Sequence, residues 1–102
     1  LAHITGGGIT DNLPRCLPDG LDAAVNLDAI AVPPVFRWLA KQAGIAEREM
    51  LRTFNCGIGM VAVTDEAHAD AVIAAFGGGL RIGTLIKGDG EAKVVYSGTL
   101  TL

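Results

Sequence analysis

Chemistry in this sequence is concentrated in two short segments. The first runs Ala2-His3-Ile4-Thr5-Gly6-Gly7-Gly8 and continues to Asn12, Pro14 and Arg15. Three successive glycines bare their backbone N–H groups, and where such a run leads into a helix start, the converging donors and the helix dipole suit an anion such as a phosphate. Arg15 adds a guanidinium that can grip an oxyanion with two parallel hydrogen bonds. Histidine is the residue type that exchanges protons near neutral pH, and His3 is the only one in either segment. The same residues also suit a tight turn beside an ordinary strand, and three glycines match neither the Walker nor the Rossmann pattern. Both readings stand at this point.

The second segment is Glu49-Met50-Leu51-Arg52-Thr53-Phe54-Asn55-Cys56-Gly57-Ile58-Gly59-Met60. It gathers a charged pair, a hydroxyl, a carboxamide and a thiol where a helix gives way to a strand, the kind of loop on which binding residues collect. The plainer reading has Asn55 satisfying loop backbone, Arg52 pairing with Glu49 at i+3, and Cys56 filling a small apolar space. A nucleophilic Cys56 would need a neighbouring base, and nothing in the spacing sets His3 or His68 beside it. Glu66, His68 and Asp70 stand two apart, which does not share a helical face, so they read as a solvated surface and not as metal ligands. Lys87, Asp89 and Glu91 read the same way, and Trp38 beside Phe36 reads as core or partner surface.

The elements that must position these segments follow from periodicity. Ala2 to Thr5 is extended and Gly6 to Gly8 is a loop. Thr10 or Asp11 caps a short helical turn through Leu13, with Pro14 in its first turn, and Pro18 to Gly20 form a turn. Ala23 to Val32 alternates as a half-buried strand. Pro33 and Pro34 open a helix with Phe36, Leu39, Ala40 and Ala43 on its inner face and Gly44 as its stop. A second helix covers Ala46 to Arg52. Met60 to Val63 is a strand, and Thr64 to Glu66 open a helix whose inner stripe is Ala69, Val72, Ile73 and Phe76, ended by Gly77 to Gly79. Leu80 to Ile86 alternates as a strand, Lys87 to Gly90 turn, and Val94 to Tyr96 with Thr99 to Leu102 give a last strand paired to it as a hairpin. The predicted class is α+β: one domain with a mixed, mainly antiparallel sheet of about four strands and helices packed on one face.

Composition narrows the setting. A chain of 102 residues with 8 Lys+Arg against 11 Asp+Glu, net charge -3, has no basic surface for nucleic acid or anionic membrane, and its length allows one core. No apolar run approaches the ~20 residues that span a bilayer. Two cysteines in unrelated contexts read as reduced thiols, so a cytoplasmic setting is expected. The chain opens on Leu1, directly at the first motif, which is expected of a piece of something longer.

Taken together, Ala2 to Gly8 with Asn12-Leu13-Pro14-Arg15, Pro34-Val35-Phe36 with Trp38-Leu39, and Glu49-Met50 with Arg52-Thr53-Phe54-Asn55-Cys56-Gly57-Ile58-Gly59-Met60 resemble the C-terminal domain of the phosphoribosylformylglycinamidine cyclo-ligase (aminoimidazole ribonucleotide synthase) family. Arg81-Ile82-Gly83 is similar to that domain's strand near its end, and the likeness covers nearly the whole chain. Two positions depart: Leu51 stands where the family often has Tyr, and Cys16 where an aliphatic residue is usual.

The resemblance implies ATP-driven ring closure of formylglycinamidine ribonucleotide in purine biosynthesis. It implies ATP and Mg2+ bound mainly by an N-terminal domain absent from this chain, a homodimer formed through that domain, and substrate in the cleft between domains. Residues 1–102 are then the C-terminal domain, expected to be inactive alone. Carried onto matching positions, Thr5, Gly6, Gly7, Gly8, Asn12 and Arg15 would line the cleft near a phosphate. Thr53, Asn55, Cys56 and Gly57 would form a second wall, and His3 would handle a proton or touch phosphate. The alternatives are the related domain of a selenophosphate, thiamine monophosphate or hydrogenase-maturation type synthetase, or a non-catalytic binding module working through a sheet edge and Trp38.

Overall fold

In the computed structural model, which describes all 102 residues, Ala2–His3 (β1) is extended and leads through the glycine run into a five-residue helix, Gly8–Asn12 (α1). This helix starts earlier than the expected cap at Thr10 or Asp11, because Gly7 takes the capping position at φ 97°, a left-handed conformation that a side chain would strain. At Pro14 the chain tightens into a 3-10 turn, Leu13–Cys16, since proline offers no N–H to continue the α-ladder.

Leu21–Asn26 (β2) is the central strand. The alternation predicted a strand continuing to Val32, but Asn26 ends it: its side-chain oxygen accepts the N–H of Asp28 at 3.1 Å and folds Leu27–Ala29 into a 3-10 turn. Pro34–Ala43 (α2) ends at Gly44 as predicted, and Glu47–Thr53 (α3) follows closely. The rings of Phe36 and Phe54 meet at 6.0 Å between centroids and 58° between planes, fixing α2 against the exit of α3.

Met60–Val61 (β3) is shorter than predicted and pairs antiparallel with β1. Ala69–Ala75 (α4), preceded by a 3-10 turn, half-buries Ala69, Val72 and Ile73. Phe76, expected on the inner stripe, is 72% exposed because the helix has already ended beneath it. Arg81 ties the glycine return to this helix through 3.0 Å contacts with Glu66 and Asp70.

The class is α+β, with five strands in two sheets. Gly83–Lys87 (β4) and Val94–Ser97 (β5) do not form the expected hairpin. They flank β2, β4 antiparallel on one edge and β5 parallel on the other, and Thr99 to Leu102 form no strand. The connection wraps past the start of β2 instead of turning back, held by Gly88 N–H on Gly20 O (2.9 Å), Gly20 N–H on Gly90 O (2.7 Å) and Ala23 N–H on Lys93 O (2.9 Å). The core gathers Ile4, Ile9, Leu27, Met50, Leu51 and Cys56 between the first loop, β2 and α3. No helix is long and apolar enough to cross a membrane.

Asp22 pins that wrapped connection. Its buried carboxylate accepts the backbone N–H of Lys93 at 3.2 Å and its ammonium at 2.8 Å. The ammonium's hydrogen bond holds the Asp22 carboxyl below its ordinary range, and the carboxylate's hydrogen bond in turn holds Lys93 above its own. The Asp22 contribution to stability is complete above the unfolded carboxyl value of about 3.9 and is lost as pH falls through the lower folded value. That of Lys93 is complete below about 10.4 and is lost as pH rises through the higher folded value. In urea denaturation the midpoint difference between the parent and Asp22→Asn should be widest from about pH 5 to 9 and close at both ends. A difference constant across pH would show that the pair acts by shape and not by charge.

Candidate functional site

Four of the residues singled out in the sequence come together in one recess of about 320 Å3: His3 from β1, Thr5 from the loop, Asn12 from the end of α1 and Arg15 from the 3-10 turn. Cys16 lies on the same wall. No acidic side chain lines this space. Arg15 makes no ion pair within the chain, and His3 and Arg15 are both exposed. The recess therefore offers a free guanidinium and an imidazole, donors suited to an oxyanion.

Asn12 organises the loop above it. Its amide is buried and donates to the carbonyls of Gly8 at 2.8 Å, Gly6 at 3.2 Å and Thr5 at 3.3 Å, while Thr5 Oγ1 donates to its oxygen at 3.4 Å. Three carbonyls facing one nitrogen fix which way the amide points. The Gly6 carbonyl turns inward to Asn12 and that of Gly7 accepts the N–H of Asp11 at 3.2 Å, while the N–H groups of Gly6 and Gly7 have no backbone acceptor. Gly8 serves packing: a side chain there would run into the carbonyl oxygens of Leu51 and Phe54, so its bareness seats α1 on the end of α3.

The second segment thus touches the first through backbone, and its polar residues do not line the recess. Asn55 Oδ1 accepts the N–H of Gly57 at 2.9 Å, holding the loop after α3, and Gly57 lies against the ring of Pro33. Arg52 pairs with Glu49 at 3.0 Å, and Thr53 is exposed. Cys56 sits at φ 52° with its thiol buried, donating to Met50 O at 3.5 Å. Burial pushes that thiol up from its ordinary value, away from the thiolate a nucleophile needs. No three His, Cys, Asp or Glu side chains converge as a metal site would require. The larger concavity, about 730 Å3 and mostly apolar between α4 and the β2–β4 face, takes only Gly57 from the predicted residues.

Sequence reasoning missed several polar contacts. Asp28 accepts the N–H of Thr99 at 3.1 Å and Glu47 that of Leu100 at 2.9 Å, anchoring residues 99–100. Thr10 meets Tyr96 at 2.8 Å across the fold. None follows from local spacing, since each joins residues at least 53 apart.

Against known families, residues 1–95 match the model described as AIR synthase related protein, C-terminal domain, and the chain belongs to that family.

Two pairs of substitutions test the loop's construction. Asn12→Asp retains shape but presents a carboxylate to three carbonyls, so unfolding free energy should fall by about 2–4 kcal/mol, more than in Thr5→Ala. A cost below about 0.5 kcal/mol would mean that the amide is not the donor. Gly8→Ala should cost about 2 kcal/mol or more, while Gly6→Ala, with open space around it, should stay within about 0.5 kcal/mol. Equal effects would remove the seat on α3.

Proposed function

We propose that this member of the AIR synthase related family is the substrate-cleft domain of a cyclo-ligase that closes formylglycinamidine ribonucleotide to aminoimidazole ribonucleotide. ATP phosphorylates the formyl oxygen, an amidine nitrogen attacks the activated carbon, and phosphate leaves as the imidazole forms. Activation of the leaving group and proximity of the nucleophile supply the rate. The reading is carried by one observation: in a chain of net charge -3, the recess formed by His3, Thr5, Asn12 and Arg15 holds no carboxylate. Such a recess suits the 5′-phosphate of a ribonucleotide.

In this reading Arg15 and the loop amides of Gly6 and Gly7 grip the phosphate, Asn12 shapes the loop, and His3 touches phosphate or carries a proton. Thr53, Asn55 and Gly57 face the rest of the substrate across the interdomain cleft, and Cys56 packs beneath them as buried support. ATP and Mg2+ belong to the preceding domain, through which the protein pairs as a homodimer in the cytoplasm. The string Arg52-Thr53-Phe54-Asn55-Cys56-Gly57 favours the cyclo-ligase over selenophosphate, thiamine monophosphate or hydrogenase-maturation synthetases, which lack that form.

Joined to its ATP-binding domain, the chain should release ADP only when formylglycinamidine ribonucleotide is present, with turnover reduced in His3→Ala. Ribose 5-phosphate should bind the chain itself and weaken about tenfold or more in Arg15→Ala. Unchanged affinity in that variant takes Arg15 out of the site, and a folded two-domain protein without turnover moves the reading to a sister synthetase.

A further inference from the structure

On the side of α1 away from the recess, Thr10 Oγ1 lies 2.8 Å from the phenol oxygen of Tyr96. Thr10 and Asn12 are about 200° apart around the helix, so the two residues work on opposite faces. A helix of five residues cannot hold its own position in water. Asn12 holds α1 to the glycine loop, and bare Gly8 seats it on α3. Toward the three-stranded sheet, the Thr10–Tyr96 contact is its one side-chain hydrogen bond.

Tyr96 is well placed to act as that anchor. It stands in the middle of the β2–β5 ladder opposite Val25, half-buried, on a strand fixed by the Asp22–Lys93 pair. Burial raises its phenol above the ordinary value, while the hydrogen bond with Thr10 acts in the opposite direction. Neither motif includes it, and it is the first residue beyond the 1–95 family match.

We propose that Tyr96 is a positioning residue for the anion recess: through Thr10 it fixes α1, and with it Asn12 and Arg15, at the spacing that binds a sugar phosphate. This rests on the recess being the ligand site argued above. Because the chain has a single tyrosine, removing one oxygen in Tyr96→Phe leaves every other phenol out of the question.

The test is a ribose 5-phosphate titration of the full chain followed by amide NMR, with hydrogen exchange measured on the same samples. Tyr96→Phe and Thr10→Val should each weaken binding about three- to tenfold and speed exchange at Ile9 to Leu13, leaving the β2, β4 and β5 amides protected. Thr10→Ser retains the hydroxyl and should restore parent affinity. The double variant should lose no more than either single one, as two ends of one interaction require. Parent-like affinity in Tyr96→Phe overturns the positioning role, and so does exchange that quickens everywhere, which would make Tyr96 a stability residue only. A parent that binds no ribose 5-phosphate overturns the site reading itself, and the positioning role with it.

Discussion

Gly8 has no side chain, and any side chain there would occupy the space held by the carbonyl oxygens of Leu51 and Phe54. Two segments far apart in the chain therefore meet backbone to backbone. The meeting is also electrostatic, because the carbonyls at the end of α3 form the negative pole of its dipole and face the positive start of α1. From that seat the rest of the site follows. α1 can begin only at Gly8, which brings Asn12 under the loop, and Asn12 then turns three carbonyls inward. The 3-10 turn that continues from α1 delivers Arg15 beside His3.

The distribution of charge supports the same centre. The chain has more acids than bases, yet six of its eleven carboxylates are engaged elsewhere: Asp22 with Lys93, Glu66 and Asp70 with Arg81, Glu49 with Arg52, and Asp28 and Glu47 with backbone N–H groups of Thr99 and Leu100. The exposed pairs contribute little stability one by one. None of the carboxylates lines the recess or pairs with Arg15, so a cation in an acidic protein remains available to an incoming anion.

What could be read from the sequence was whatever local rules decide. Pro34 and Gly44 bracket α2 because proline at a helix start and glycine past its end act within one turn, and the α+β class followed from counting such elements. The glycine run was correctly read as a place of close approach, but at Gly8 what approaches is Leu51 and Phe54. That distinction depends on which distant strand or helix arrives, and no spacing encodes it. β5 was misplaced for the same reason. A turn between two apolar runs suggests a hairpin, whereas the buried carboxylate of Asp22, paired with Lys93, holds the last strand at the far edge of β2. The plainer readings of Arg52, Asn55 and Cys56 are those their contacts display.

The insertion of β2 between β4 and β5 also sets the order in which this fold can assemble. β2 is made before either of its partners, which lie more than fifty residues further along, from Gly83 and from Val94. Until those strands arrive, β2 presents two unpaired edges and the Asp22 carboxylate has no counter-ion. Contacts of such sequence separation slow folding, because the loops must be closed before any pairing repays their entropy. A nascent chain holding β2 without β5 is therefore open to strand pairing with other molecules, and during translation it would be a natural client for a chaperone that shields sheet edges.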